Sequence, residues 1–150
     1  MADLTGAERV VVDAWLPAAI TSVAASLNAI SPSLSTRVYL DMAPAIAAYP
    51  LIVFQCQDDP RDIRGVGITS VMSETEYLVK VVASADYASL GSIVSILNTV
   101  LTTAIGATPV IGGRVLSSVK ERGFSMVEVD DGKQLRNLGF FLKIYVQGDV

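Results

Sequence analysis

The chain has 150 residues, of which 51% are apolar and 17% charged, with a net charge of −4 and a mean hydropathy of +0.50. It contains no histidine and one cysteine, Cys56, which excludes Ser-His-Asp and Cys-His catalysis, an intrachain disulfide and a multi-cysteine zinc site. The negative charge argues against a nucleic-acid-binding surface, which needs clustered Lys and Arg, and the apolar excess is more than one small core requires.

The first element begins at Thr5-Gly6-Ala7-Glu8, a capping-box pattern in which Thr5 and Glu8 satisfy each other's backbone donors. Val12, Trp15, Leu16, Ile20, Val23 and Leu27 then recur at helical spacing, and Pro17 predicts a kink or two consecutive helices. Ser31-Pro32-Ser33 ends the segment, and a short strand follows over 37–40. Residues 42–48 read as a loop. Pro50 leads into Leu51-Ile52-Val53-Phe54-Gln55-Cys56, an apolar run that predicts a strand buried on both faces. Cys56 reads as a small buried hydrophobe of that strand, since no base stands near it.

The stretch from Asp58 to Gly67 is the most charged in the chain and carries turn formers at both ends, so a long exposed loop is expected there. Residues 74–84 alternate cleanly: Tyr77, Val79, Val81 and Ala83 point one way, while Glu76, Lys80 and Ser84 point the other. That strand feeds a helix with Ser84 or Asp86 as its N-cap and Gly106 at its C-terminal end. Leu90, Ile93, Val94, Leu97, Val100, Leu101 and Ala104 form its apolar face. The opposite face, Ser92, Ser95, Thr99 and Thr102, carries no charge, which suits close packing against another element, as a buried or an intersubunit face.

After Gly112-Gly113, one long strand is expected, running over 114–119 and continuing over 124–129 after an interruption at Gly123 that reads as a bulge. Asp130-Asp131-Gly132-Lys133 reads as a hairpin turn. In the return strand Leu138, Phe140, Leu142, Ile144 and Val146 form one apolar face. The other face carries Phe141 and Tyr145 beside Lys143 and Gln147, too aromatic for a plain solvent face. The order α-β-β-β-α-β-β predicts a single α+β domain over 1–150, with an N-terminal helical segment (5–30) and a sheet-and-helix unit (36–147). The sheet is expected to be mostly antiparallel, of four to five strands, with the helices on one face.

Candidate chemistry is sparse. Asp58, Asp59 and Asp62 cluster in one segment, and Glu128, Asp130 and Asp131 surround the hairpin turn, but Asp-Pro and Asp-Asp-Gly are turn chemistry first and metal or acid–base chemistry second. Gly65-Val66-Gly67 and Gly112-Gly113 lack the lysine or third glycine that cradling a phosphate requires. The uncharged stretches 14–36 and 87–113 are broken by Pro, Asn, Gly and Ser/Thr, so neither reads as a membrane span. The opening Met1-Ala2-Asp3, acidic before its first basic residue, does not read as a secretory signal, and action in the cytoplasm is expected.

Several local patterns resemble the tail terminator (tail completion) proteins of tailed bacteriophages. They are Arg37-Val38-Tyr39, Pro44, Tyr49-Pro50-Leu51-Ile52-Val53-Phe54, Glu76-Tyr77-Leu78-Val79-Lys80-Val81, the helix of residues 88–101, Gly112-Gly113-Arg114-Val115 and the final hairpin. The likeness covers roughly residues 36–147 and is one of pattern rather than of a catalytic motif; the segment around Pro17 departs from the single helix expected of the family. The resemblance implies a self-assembled ring, typically a hexamer, that caps the tail tube and joins it to the head connector or stopper protein. It implies a virion location in the tail or neck after assembly in the host cytoplasm, with DNA passing through an acidic lumen without specific binding. It implies no enzymatic activity, no cofactor and no membrane. The segment 59–72 is then expected to project towards neighbouring subunits or the tube.

The candidate interaction residues are accordingly Asp59, Arg61, Asp62, Ile63 and Arg64 in that segment, Ser95 and Thr99 on the helix, and Phe141 and Tyr145 on the last strand. Competing readings are another neck or baseplate component, a small-molecule-binding regulatory domain with a pocket between helix and sheet, and a carboxylate hydrolase.

Overall fold

The computed structural model describes residues 5–44, 48–63, 71–103, 113–130 and 132–148. Helix α1 (Thr5–Ser22) begins where the capping box placed it; the side chains of that box lie outside the described residues. Pro17 sits inside α1 and does not end it, because its fixed φ is helical and only one backbone donor is lost. The break comes at Val23, and the axis turns by 66° into α2 (Ala24–Ile30). Local hydrogen bonding accounts for that position. Thr21 Oγ1 donates to the Pro17 carbonyl at 3.0 Å, Ser22 Oγ to the Ala19 carbonyl at 2.6 Å, and Val23 N to the Ile20 carbonyl at 3.0 Å. Hydroxyls bonded back to the preceding turn compete with the helical ladder and bend it.

A 3-10 turn (Leu34–Thr36) leads to β1 (Val38–Leu40). Arg37 secures this corner: its Nε donates to the Pro50 carbonyl at 2.8 Å, and its two terminal nitrogens donate to the Pro32 carbonyl at 3.1 Å and Ser31 Oγ at 2.9 Å. Strands β2 (Leu51–Ile63), β3 (Val71–Ser84), β4 (Gly113–Asp130) and β5 (Lys133–Gly148) complete a five-stranded sheet of order β1-β2-β3-β5-β4. Only β1 runs parallel to its neighbour. The fold is therefore α+β with a mostly antiparallel sheet, as the element order predicts.

Three local expectations are corrected. The charged stretch after Cys56 is not a loop as far as Ile63: β2 continues through it and pairs with β3, with irregularities between Cys56 and Asp58 and between Asp58 and Arg61. An edge position and bulges let a strand accept Pro60 and a charge run, because the missing donor faces no partner. Gly65 and Gly67 lie outside the described residues. Next, α3 (Leu90–Thr103) starts later than expected: Ile93 N donates to the Ser89 carbonyl at 3.2 Å. Ser84 and Asp86 instead bond each other in the preceding turn, where Tyr87 N donates to the Ser84 carbonyl at 3.0 Å. Ala104 and Gly106 lie outside the described residues, as does Gly112. Finally, the bulge expected at Gly123 lies elsewhere: the irregularities of β4 fall between Val115 and Ser117 and between Lys120 and Arg122, while Gly123 pairs in register with Phe140. The hairpin is as expected: Asp130 pairs with Lys133, and Gly132 takes the positive φ of 77° that the turn needs.

The helices cover one face of the sheet. Val12, Trp15, Leu16 and Ile20 from α1, Leu27 from α2, and Ile93, Leu97 and Leu101 from α3 meet Phe54, Tyr77, Val79, Phe140, Leu142, Ile144 and Val146 in one core. Tyr77 is fixed there by its hydroxyl, which donates to Asp13 Oδ1 of α1 at 3.0 Å. Cys56 is half-buried against this core, its sulfur 3.8 Å from Thr75 Oγ1. Leu51, Val53, Val82 and Leu135 form a smaller cluster on the other face, packed by Tyr39 and Ala43.

Candidate functional site

The strand register sorts the candidate residues into two groups. Arg61, Glu74, Tyr145 and Ser117 lie in one row across the sheet; Asp58, Glu76, Lys143 and Val119 lie in another. Asp59, Arg61, Asp62 and Ile63 therefore belong to the far half of β2, separated by β3 from β5, which carries Phe141 and Tyr145. Arg64 lies outside the described residues. Ser95 and Thr99 are exposed on α3, in the helical layer on the other side of the sheet. The sheet thus gathers the strand candidates and keeps the helix candidates apart.

On the uncovered face, alternation brings charged and aromatic side chains of three strands together. Lys143 Nζ lies 3.0 Å from Glu74 Oε1 and 3.2 Å from Glu121 Oε1. Arg122 reaches Glu76 at 3.5 Å and Glu121 at 3.8 Å, and its guanidinium lies 3.9 Å from the centre of the Phe141 ring. Phe124 meets Phe141 edge-on, with ring centres 5.9 Å apart. Hydrogen bonds to Glu74 and then Glu121 push the Lys143 ammonium above the usual lysine range. The hydrogen bond shared with Glu76, then that with Lys143, holds the Glu121 carboxyl below its ordinary value. Phe141 is thus half-buried by neighbours within its own chain, more than its place on an uncovered face suggested, and Tyr145 is half-buried beside it.

Sequence reasoning missed one surface. Strand β4 exposes Val119, Met126, Val127 and Val129, the last at 70% of its area. Strand order is not legible in the sequence, which therefore does not place this 18-residue strand at the end of the sheet. The signal available was the apolar content of 124–129 beside a turn, where the helices do not reach.

Two cavities flank the segment after β1. An open cleft of about 680 Å³ is lined by Pro17, Val38, Tyr39, Leu40, Met42, Ala43 and Pro44, without converging polar side chains. A smaller one of about 150 Å³ includes Lys80, Glu128 and Asn137, where Asn137 Nδ2 donates to Glu128 Oε1 at 2.9 Å. Among the described residues no group of three or more Cys, Asp or Glu could hold a metal ion. Among them, too, no single helix is long and apolar enough to cross a membrane; the bent pair of Val11–Ser22 and Ala24–Ile30 passes by length and composition only.

No protein-family model matches the chain, and no curated protein sequence matches it. Its fold is similar to that of a chain in the virion of a native gene transfer agent particle, with a TM-score of 0.58 and 19% sequence identity. The similarity covers 89% of this chain and 95% of that one. At this identity the likeness establishes a shared α+β fold.

Proposed function

We propose that this protein is a structural component of a virion. The observation that carries the reading is the shared fold with a virion chain along almost the whole of both chains. The chemistry agrees with it: the side chains gathered on the uncovered face form ion pairs and ring contacts with one another, an arrangement that stiffens a surface rather than turning over a substrate.

Within that class the finer assignment is a tail terminator: a single-domain subunit that forms a six-membered ring capping the tail tube and joining it to the connector or stopper protein, with DNA passing through. What supports it is the pattern of residues 36–147, the uncharged exposed face of α3 at Ser95 and Thr99, and the net negative charge suited to a lumen that does not retain DNA. Light scattering on the chromatographed protein, with micrographs of the same fractions, tests it. Rings with a central hole are expected, and a strict monomer that also fails to bind tail tubes overturns the assignment. Ser95→Lys or Thr99→Glu is expected to leave the fold intact, as at an ordinary exposed site, and to block assembly. Unchanged assembly would remove α3 from the interface.

A further inference from the structure

A strand at the end of a sheet presents a row of unpaired backbone donors and acceptors, which native proteins shorten, cover or pair. Among the described residues this sheet leaves two such rows open. Strand β4 is terminal over its 18 residues, and positions 119–123 and 125–129 are exposed. At the other end β1 pairs only with Ile52, Val53 and Phe54, so among the described residues no strand covers β2 beyond Phe54.

The two open rows match each other in three respects. They lie at the same height, because Arg61 shares a row with Ser117, and Asp58 with Val119. They run in opposite directions, since β2–β3, β3–β5 and β5–β4 are all antiparallel. They also carry opposite charge in sequence. Residues 57–63 hold Asp58, Asp59 and Asp62 against Arg61 alone, whereas 113–122 hold Arg114, Lys120 and Arg122 against Glu121 alone. The bulges near Pro60 disfavour indiscriminate pairing, and the regular register with β3 resumes at Arg61, Asp62 and Ile63.

We propose that residues 113–122 of β4 add, antiparallel, to the open edge of residues 57–63 in β2 of a second copy, so that the sheets of successive subunits run on as one. Two different edges make a head-to-tail contact, which does not stop at a dimer and gives a ring where the rotation between subunits closes. The inference rests on the ring reading above and specifies its joint.

The test uses the full chain with Cys56→Ala, carrying Ser117→Cys together with a cysteine at 59, 61 or 63 in turn, because ring closure staggers neighbouring strands. Mild oxidation of the assembled protein is expected to give a ladder of cross-linked species ending at the ring, with at least one of the three pairs. A Ser26→Cys/Ser117→Cys control, with Ser26 exposed on α2, is expected to give none. Hydrogen exchange on the unmodified protein supplies a measurement independent of any variant: amides in 57–63 and 113–122 should exchange at least about tenfold more slowly in the assembled form than in the monomer. Rings whose exchange in both segments equals that of the monomer, and which no pair cross-links, overturn the edge joint and leave the ring reading standing. A protein that stays monomeric at every concentration and also fails to bind tail tubes overturns both.

Discussion

The two faces of this sheet are built from the same strands one residue apart, and they are stabilised differently. On the helix side Phe140, Leu142, Ile144 and Val146 are fully buried and continuous with the helical core. On the other side Phe141, Lys143 and Tyr145 are half-exposed, and ion pairs and ring contacts replace burial. Area removed from water dominates folding energy, whereas exposed ion pairs contribute little because solvent screens them. The covered face therefore carries the fold, and the open face is left to set shape and charge.

The sharpest way to break that comparison is to truncate adjacent residues of β5. Phe140→Ala is expected to cost about 3–5 kcal/mol in chemical denaturation, as for a large aromatic removed from a packed core. Phe141→Ala, losing one edge-on ring contact and one cation–π contact, is expected to cost about 1–2 kcal/mol. Equal losses would show that the open face is as much core as the other.

Gly139 falls between these in effect and tests what holds the strands at their spacing. A Cβ there would sit 1.9 Å from the Val79 carbonyl oxygen and 2.7 Å from Lys80 Cα, both backbone atoms of β3. Gly139→Ala is expected to cost about 2 kcal/mol by forcing β5 away from β3, a backbone effect rather than a lost contact. A neutral result in the same denaturation measurement would mean that the sheet relaxes there without penalty.

The smallest effect is the pH response of the open-face ion pairs. Because the Glu121 carboxyl is held below 4.5, its contribution is present above that value and is lost as pH falls through the lowered one. Because the Lys143 ammonium is held above 10.5, its contribution is present below that value and is lost as pH rises through the raised one. Lys143→Met is expected to flatten the acid limb of a stability–pH profile and to reduce its sensitivity to salt. An unchanged profile would show that the network is too well solvated to matter.

Much of the fold was legible because burial imposes a period. Tyr77, Val79, Val81 and Ala83 take every second position of β3 and all four are buried, as the period predicts, although Leu78 and Val82 on the opposite face are buried as well. The apolar faces of α1 and α3 were legible for the same reason at helical spacing. The candidate site was less so. Charge and proline between Asp58 and Asp62 marked a loop, yet pairing with β3 makes the segment a strand. The Phe141–Arg122–Phe124 cluster joins residues 19 positions apart, and no local pattern announces it.

The sequence by itself determined which side chains must be covered and which turn the final hairpin uses, because solvent exclusion and the positive φ of Gly132 are local demands. Tertiary structure alone decided which strand ended the sheet, where β2 stopped being covered, and which charges faced one another across three strands. Those outcomes depend on pairing between segments distant in the chain. Backbone hydrogen bonding is nearly indifferent to residue type, so position in the sheet, and not composition, left two open edges.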